Sequence, residues 1–86
     1  MSTEVFVIDD DRKLTALLQE YLTQYGFQVR AFHDPVEGLA AVKRSVPALI
    51  ILDLMLPGKD GFEVCREIRA FSKVPILMLT ARGETS

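Results

Sequence analysis

The sequence predicts an α/β domain built around a parallel β-sheet. Three continuous apolar runs, the pattern of strands covered on both faces, are separated by stretches with helical periodicity. One further segment, in which apolar and polar residues alternate, completes the order β-α-β-α-β-α-β, which is typical of parallel strands joined by right-handed crossovers. The chain has 86 residues, of which 49% are hydrophobic, so we expect a single domain with a modest core.

The first half of the chain is predicted to hold two strands and one helix. The first apolar run extends from Glu4 to Ile8. In the helix that follows, apolar residues recur at steps of three and four, and Gly26 is expected to end it from the C′ position. Alternation starting at Phe27 predicts a second strand at an edge of the sheet. The expected apolar face of the helix consists of Leu14, Leu17, Leu18, Tyr21, Leu22 and Tyr25.

The second helix has a clear start signal. Asp34 is a good N-cap acceptor, Pro35 suits the first turn, and Glu37 stands at the N3 position. The expected inner face of this helix consists of Val36, Leu39, Ala40 and the stem of Lys43.

The rest of the chain repeats the pattern of strand, helix and strand. Pro47 separates the second helix from a third strand over residues 48–52, and residues 57–61 are typical of a turn. A fourth strand is predicted over residues 74–79. The third helix, between that turn and that strand, is expected to bury Phe62, Val64, Cys65, Ile68 and Phe71.

Composition excludes several classes of function. The net charge is -2, and no basic run or aromatic-basic stripe indicates nucleic-acid binding by this segment. Cys65 is the only cysteine, which rules out an internal disulfide and fits a reducing compartment. No apolar stretch approaches the roughly 20 residues of a membrane span, and residues 1–4 do not start a signal peptide. We therefore expect a cytoplasmic protein without a membrane partner.

Acidic residues stand where two of the predicted strands end. Asp9, Asp10 and Asp11 follow the first strand, and Asp53 follows the third. If these strands lie side by side, the carboxylates share one pocket, where they repel each other unless a cation is present. Mg²⁺ prefers oxygen ligands and is typically held by one or two carboxylates together with phosphate. The sequence therefore predicts a site for a divalent metal at the carboxyl edge of the sheet.

Three segments together resemble the receiver domain of two-component response regulators. They are VFVIDDD at the start, LIILDLMLPGKDGFEV in the middle and VPILMLTA near the end, and the resemblance covers essentially the whole chain. It implies a flavodoxin-like parallel sheet with the strand order 2-1-3-4. The segments LDLMLPGKDG and TAR are most similar to receivers that precede a winged-helix DNA-binding domain. Control of an output such as DNA binding is therefore expected.

The resemblance implies a metal site and a phosphoryl acceptor. Asp53 is expected to accept a phosphoryl group from a sensor histidine kinase, or from a small acyl phosphate, in a reaction that requires Mg²⁺ or Mn²⁺. Asp10 would bind the metal directly, Asp9 through water, and Met55 through its backbone carbonyl, with Asp53 completing the set. Thr80 would be the switch hydroxyl that closes on the phosphoryl group. The protein is thus expected to be a signalling module rather than an enzyme.

Three further positions matter to this interpretation. Ala81 would leave room beside the phosphoryl group, and Pro57 and Gly61 would shape the loop after the acceptor.

A complete receiver would continue with a helix, a fifth strand that carries a lysine, and a last helix. The resemblance therefore implies that residues 1–86 are one C-terminally incomplete receiver domain. One helix cannot cover four strands, so the third and fourth strands should be bare on the side of the first helix. Both alternating faces of these strands are apolar. We expect Leu49 and Ile51 to share one face with Ile76 and Met78, and Ile50 and Leu52 to share the other with Leu77 and Leu79. This predicts a homo-oligomer joined through the fourth strand or the bare face.

Two alternative functions remain open at this point. The first is a receiver fragment that associates with itself but does not switch. The other is a phosphatase of the haloacid-dehalogenase type, in which Asp9 would attack and Asp11 would act as acid and base, although that family expects Thr or Val where Lys13 stands. Asp11 is better interpreted as an N-cap than as a metal ligand. His33 is expected to be solvated.

Overall fold

A computed structural model describes residues 3–56 and 58–79 of the chain. Strands and helices alternate as the sequence predicts, with two additional short strands between the third long strand and the third helix. The elements are β1 (Glu4–Ile8), α1 (Arg12–Thr23), β2 (Gln28–Phe32), α2 (Pro35–Arg44), β3 (Leu49–Asp53), β4 (Met55–Leu56), β5 (Lys59–Asp60), α3 (Gly61–Arg69) and β6 (Ile76–Leu79).

The four long strands form a parallel sheet in the order β2-β1-β3-β6. β1 lies centrally, and its Val7 is in register with Ala31 of β2 on one side and Ile51 of β3 on the other. The predicted order 2-1-3-4 and the edge position of β2 are therefore confirmed. The predicted turn over residues 57–61 also contains β5, which pairs antiparallel with β4 just before the turn, and Gly58 has a positive φ (78°) between them.

The two faces of the sheet are covered unequally. On one face, α2 and α3 pack over the larger core, which includes Phe6, Ile8, Ile50 and Leu52. On the other face, α1 covers a small cluster of Val5, Val7 and Ile51. β1 contributes to both clusters, so it is buried on both faces and reads as a continuous apolar run.

An aspartate caps each helix. Asp11 accepts from the backbone amides of Lys13 and Leu14, which confirms the N-cap interpretation of this residue. Asp34 and Asp60 accept in the same way from the amides two residues further on. Gly26 has the positive φ (91°) expected near a helix end, but it lies two residues beyond the C-cap Gln24, not at C′.

The predicted face of α1 is wrong for half of its residues. Leu14, Leu18 and Leu22 are partly buried, and Leu18 and Leu22 pack against the small cluster. The other three predicted residues, Leu17, Tyr21 and Tyr25, are exposed. The apolar face of α1 is wider than the part of the helix that packs against the sheet. Periodicity therefore predicted more buried residues than the structure contains.

The predicted inner face of α2 is confirmed for Leu39 but not for two of its other residues. Val36 and Ala40 are exposed, whereas Gly38, Leu39, Ala41 and Val42 are buried. A Cβ on Gly38 would lie only 2.7 Å from the Ile8 side chain. The helix therefore approaches β1 closely at Gly38, and a residue without a side chain contributes nothing to a hydrophobic pattern.

The register between β3 and β6 corrects the predicted grouping of their apolar residues. Ile51 pairs with Leu77 and Ile50 with Ile76. Leu77 therefore shares the α1 face with Ile51, while Ile76 and Met78 pack against the larger core. Leu77 is 53% exposed. The expectation of an uncovered apolar region on the α1 side is thus confirmed for Leu77 of β6 but wrong for Ile51 of β3, which is buried in the small cluster.

None of the helices in the described part of the chain is long and apolar enough to cross a membrane.

Candidate metal centre

Three carboxylates meet at the carboxyl edge of the sheet. Asp9 directly follows β1 and Asp53 is the last residue of the adjacent β3, so the pairing of these strands brings them together. Asp10 follows Asp9 in the loop before α1. One carboxylate oxygen from each lies within 4.8 Å of the other two. Asp9 and Asp53 are buried, whereas Asp10 is exposed, so the cluster is open to solvent on one side.

Backbone hydrogen bonds fix the orientation of the two buried carboxylates. The Asp9 amide donates to the Phe32 carbonyl of β2 (3.0 Å), and Asp9 Oδ1 accepts from the Asp11 amide (2.9 Å). Asp53 Oδ1 accepts from the Met55 amide (3.1 Å). Each of these carboxylates thus has one oxygen engaged by backbone, which leaves further lone pairs for a cation.

The electrostatics of the cluster favour a cation. The pKa of Asp9 is raised above its ordinary value, chiefly by burial and then by the negative charges of Asp53, Asp10 and Asp11, against a lowering by the Asp11 amide. Among residues 3–56 and 58–79, no lysine or arginine forms an ion pair with these carboxylates. Carboxylate oxygens at close range without a cationic side chain fit a hard divalent ion such as Mg²⁺.

The carboxylates open into a cavity of about 590 Å³. Four aspartates and four apolar residues line it, and of the apolar residues only Met55 belongs to the predicted site. The lining is made by Asp9, Asp10, Asp11, Leu14, Leu18, Asp53, Met55 and Leu79.

Comparison with known proteins identifies the family. The family model of the response regulator receiver domain matches residues 5–86. The chain belongs to the response regulator receiver family. The sequence resemblance and the two-component signalling function that it implied are thereby confirmed.

Curated relatives of this receiver include larger proteins. The chain is 45% identical over 85 residues to the DNA-binding response regulator MtrA of Mycolicibacterium paratuberculosis and to that of Mycobacterium leprae. The match covers 99% of this chain but spans only 38% of the length of those relatives. The activity of the full-length relatives is therefore only proposed for this chain.

Solved receiver structures share the fold. The BeF3-activated receiver domain of Klebsiella pneumoniae RstA superposes with a TM-score of 0.87 at 31% identity, over 94% of this chain and 69% of that one. TrrA of Thermotoga maritima, solved in complex with Mg²⁺-BeF, gives a TM-score of 0.87 at 33% identity, over 96% of this chain and 72% of that one. These matches confirm the flavodoxin-like architecture expected from the sequence.

The structure places the predicted site residues as follows. Asp9, Asp10 and Asp53 come together, and Met55 lines the same cavity. Thr80, Ala81 and Pro57 lie outside the described residues, so their predicted roles stay predictions.

The structure also bears on two residues outside the carboxylate cluster, Asp11 and His33. The Asp11 carboxylate is engaged as a helix cap, which weighs against its use as the acid and base of a phosphatase. The prediction that His33 is solvated is wrong. His33 is half-buried, and its Nε2 lies 3.0 Å from Thr15 Oγ1. That contact joins residues 18 positions apart, and no sequence pattern indicated it.

Proposed function

We propose that this receiver accepts a phosphoryl group on Asp53 in a reaction that depends on Mg²⁺ or Mn²⁺. The observation that supports it is the convergence of Asp9, Asp10 and Asp53 at the carboxyl edge of the sheet, with their oxygens within 4.8 Å. Open parallel sheets place ligands at this edge. A nucleophilic carboxylate, two further carboxylates for a cation and a solvent-open side for a donor are the parts that phosphoryl transfer requires.

The residues present fit a divalent metal. Asp10 would bind it directly and Asp9 through water, with Asp53 and the backbone carbonyl of Met55 as the remaining protein ligands. The metal would neutralise charge on the phosphoryl oxygens and draw them toward the acceptor. This assignment draws support from the raised pKa of Asp9, because a cation would favour the ionised form that burial opposes.

The transfer itself needs positioning more than acid-base chemistry. A carboxylate oxygen of Asp53 attacks phosphorus while the bond from phosphorus to the donor's leaving atom breaks in line. The product is an aspartyl acyl phosphate, and the donor keeps the electron pair of the broken bond. The Met55 amide, which donates to Asp53 Oδ1, holds the carboxylate and leaves the other oxygen as the nucleophile. Water later hydrolyses the acyl phosphate and regenerates Asp53.

The donor would be a phosphohistidine of a sensor histidine kinase, which is the partner that a receiver of this family implies. A DNA-binding output is proposed by similarity to the MtrA proteins, which are DNA-binding response regulators. Thr80 is proposed as the switch hydroxyl. A cytoplasmic location is proposed from the single cysteine and the family.

The experiment is to treat the protein with a small acyl phosphate and Mg²⁺, and to locate the added phosphoryl mass by peptide mapping after trapping. We expect it on the peptide that contains Asp53 and expect none in Asp53→Asn. Omitting Mg²⁺ should abolish the labelling of the parent. Phosphoryl mass on Asp9 or Asp10 in the parent would contradict the assignment.

We also propose that copies of this chain associate through the uncovered α1 side of β6. The exposure of Leu77 and the partial burial of the neighbouring Leu49 and Leu79 support this proposal. It is independent of the phosphoryl chemistry.

A further inference from the structure

Thr15 is a buried polar side chain in the first half of α1. It is only 2% exposed, although its helix is otherwise half-buried at most. Its Oγ1 lies 3.2 Å from the Arg12 carbonyl of the same helix and 3.0 Å from Nε2 of His33, the residue that follows β2. A buried hydroxyl keeps its place in a core only when its hydrogen-bonding capacity is met, so both contacts matter.

The two contacts determine which atom of the imidazole carries hydrogen. A threonine hydroxyl has one hydrogen, and the Arg12 carbonyl can only accept, so Oγ1 donates to that carbonyl. Oγ1 must then accept from the other partner. The His33 ring therefore carries a hydrogen on Nε2 and donates it to Thr15.

This bond closes a circuit of four hydrogen bonds around the acidic loop. The Asp9 amide donates to the carbonyl of Phe32, which precedes His33. The Asp11 amide donates to Asp9 Oδ1. The Thr15 amide donates to the Asp11 carbonyl, and His33 Nε2 donates to Thr15 Oγ1. The loop is thus held to both β2 and α1.

Asp10 lies between Asp9 and Asp11 in the loop, and none of the four hydrogen bonds of this circuit is made by Asp10 itself. It is exposed, yet one of its carboxylate oxygens lies within 4.8 Å of those of Asp9 and Asp53. Its position depends on Asp9 and Asp11, which the circuit holds. Removal of the His33–Thr15 bond would let α1 and the end of β2 shift relative to each other, and Asp10 would shift with them.

We propose that Thr15 and His33 are positioning residues that hold Asp10 in place for the divalent cation. The inference rests on the proposed function, because it assumes that the carboxylates bind a cation. Mg²⁺ demands near-ideal octahedral geometry at 2.0–2.1 Å, so it tolerates little displacement of a ligand. Groups that orient metal ligands from outside the coordination sphere typically change metal affinity by 10–100-fold when they are removed.

The test compares isosteric variants by titration with Mg²⁺ alone. Thr15→Val keeps the volume and removes the hydroxyl, and we expect it to weaken Mg²⁺ binding by about tenfold, the lower end for such groups. Thr15→Ser keeps the hydroxyl and should bind Mg²⁺ as the parent does. His33→Leu should resemble Thr15→Val, while His33→Gln, which retains an N–H donor, should recover part of the affinity.

The matched control is Gln19→Met on the same helix. The Gln19 amide donates to the Val29 carbonyl of β2 (3.0 Å), so it also links α1 to β2, but outside the circuit. We expect Gln19→Met to lower thermal stability without changing Mg²⁺ affinity. A second readout needs no metal: hydrogen exchange at the Asp11 amide should accelerate in Thr15→Val and stay unchanged in Gln19→Met.

The outcomes separate the inference from the function on which it rests. If Thr15→Val binds Mg²⁺ as tightly as the parent, or if it and Gln19→Met weaken binding equally, the positioning role is refuted while the proposed function stands. If the folded parent binds no divalent cation at all, the proposed function fails, and the exchange rate of the Asp11 amide still decides whether the circuit orders the loop.

Discussion

Gly61 lies directly against the backbone of Asp53. A Cβ placed on Gly61 would be 2.6 Å from the Asp53 carbonyl oxygen and 2.6 Å from the Leu54 Cα. The Gly61 amide donates to the Leu54 carbonyl (3.0 Å) at the same place. The loop that follows the proposed acceptor therefore folds back on it, and only a residue without a side chain permits this approach. The family resemblance implies that Gly61 shapes this loop, and the contact gives the physical reason.

We expect Gly61→Ala to destabilise the fold by about 1–3 kcal/mol, the range for overpacking, because the atoms in the way are backbone. It should also weaken Mg²⁺ binding and the labelling of Asp53, since the backbone that carries the acceptor must shift. Chemical denaturation and metal titration would measure both effects. Gly26→Ala is the control. Gly26 has a positive φ but nothing within 4 Å, so that variant should lose stability without losing metal affinity. Unchanged metal affinity in Gly61→Ala would contradict the prediction.

A second prediction concerns Asp10. In metal-free buffer, Asp10→Asn should raise the free energy of unfolding by roughly 0.5–1 kcal/mol, because it removes a negative charge that acts on Asp9. The same variant should bind Mg²⁺ more weakly than the parent, since it lacks one ligand. Thermal unfolding with and without Mg²⁺ would show both effects. Asp34→Asn, which changes the charge at a helix cap away from the cavity, is the control for net charge. An Asp10→Asn protein that binds the metal as tightly as the parent would show that the site is misplaced.

A third prediction follows from the raised pKa of Asp9. Its ordinary value is 3.8, and burial raises it in the folded protein. At a pH between the ordinary pKa and the raised pKa, the folded state retains a proton that the unfolded state has released. The free energy of unfolding therefore falls as the pH rises. In metal-free buffer, the stability contributed by protonated Asp9 should be lost as the pH rises from about 3.8 through the raised pKa. Above the raised pKa, that stability should remain lost. Asp9→Asn should not show this loss, and its side-chain oxygen can still accept from the Asp11 amide.

The measurement is the difference in unfolding free energy between the parent and Asp9→Asn across that pH range. The difference cancels the titration of the other carboxylates to first order. Saturating Mg²⁺ should oppose the loss in the parent, because a cation favours the ionised carboxylate. A difference that is constant with pH would contradict the raised pKa.

The sequence predicted the sheet and the carboxylate cluster because both depend on strong local signals. β1 and β3 are buried on both faces, so each reads as an unbroken apolar run, and the acids that follow mark the ends of these strands. Once the strands are adjacent, the cluster of Asp9, Asp10 and Asp53 follows with little freedom.

The helix faces and the distant contacts could not be predicted in the same way. α2 buries Gly38 and Ala41 together with Leu39 and Val42, and the small size of the first two gives little apolar signal. The predicted grouping of Ile51 with Ile76 failed because parity within a strand does not fix the register between strands. The bond between Thr15 and His33 joins two ordinary polar residues on different elements, and it appears only when α1 is docked on the sheet.

The last prediction concerns the uncovered side of the sheet, where Leu77 and Ile76 point in opposite directions. Ile76 packs against the larger core, whereas Leu77 is 53% exposed on the α1 side. Leu77→Asp should therefore dissociate an assembly of this chain and leave each copy folded. Ile76→Asp should unfold the chain, because it buries an unpaired charge. Val36→Asp, an exposed substitution on α2, should do neither.

Light scattering at micromolar concentration, read beside circular dichroism, separates these outcomes. A stable interface should bury on the order of 1,000 Å² or more in total, which is more than Leu77 alone can provide. The neighbouring Leu49 and Leu79, both only partly buried on the same face, would have to contribute. The unpaired edge of β6 would add backbone hydrogen bonds between copies, because β6 pairs only with β3 among the described residues. A parent chain that is monomeric and cooperatively folded at this concentration would show that the face does not mediate self-association.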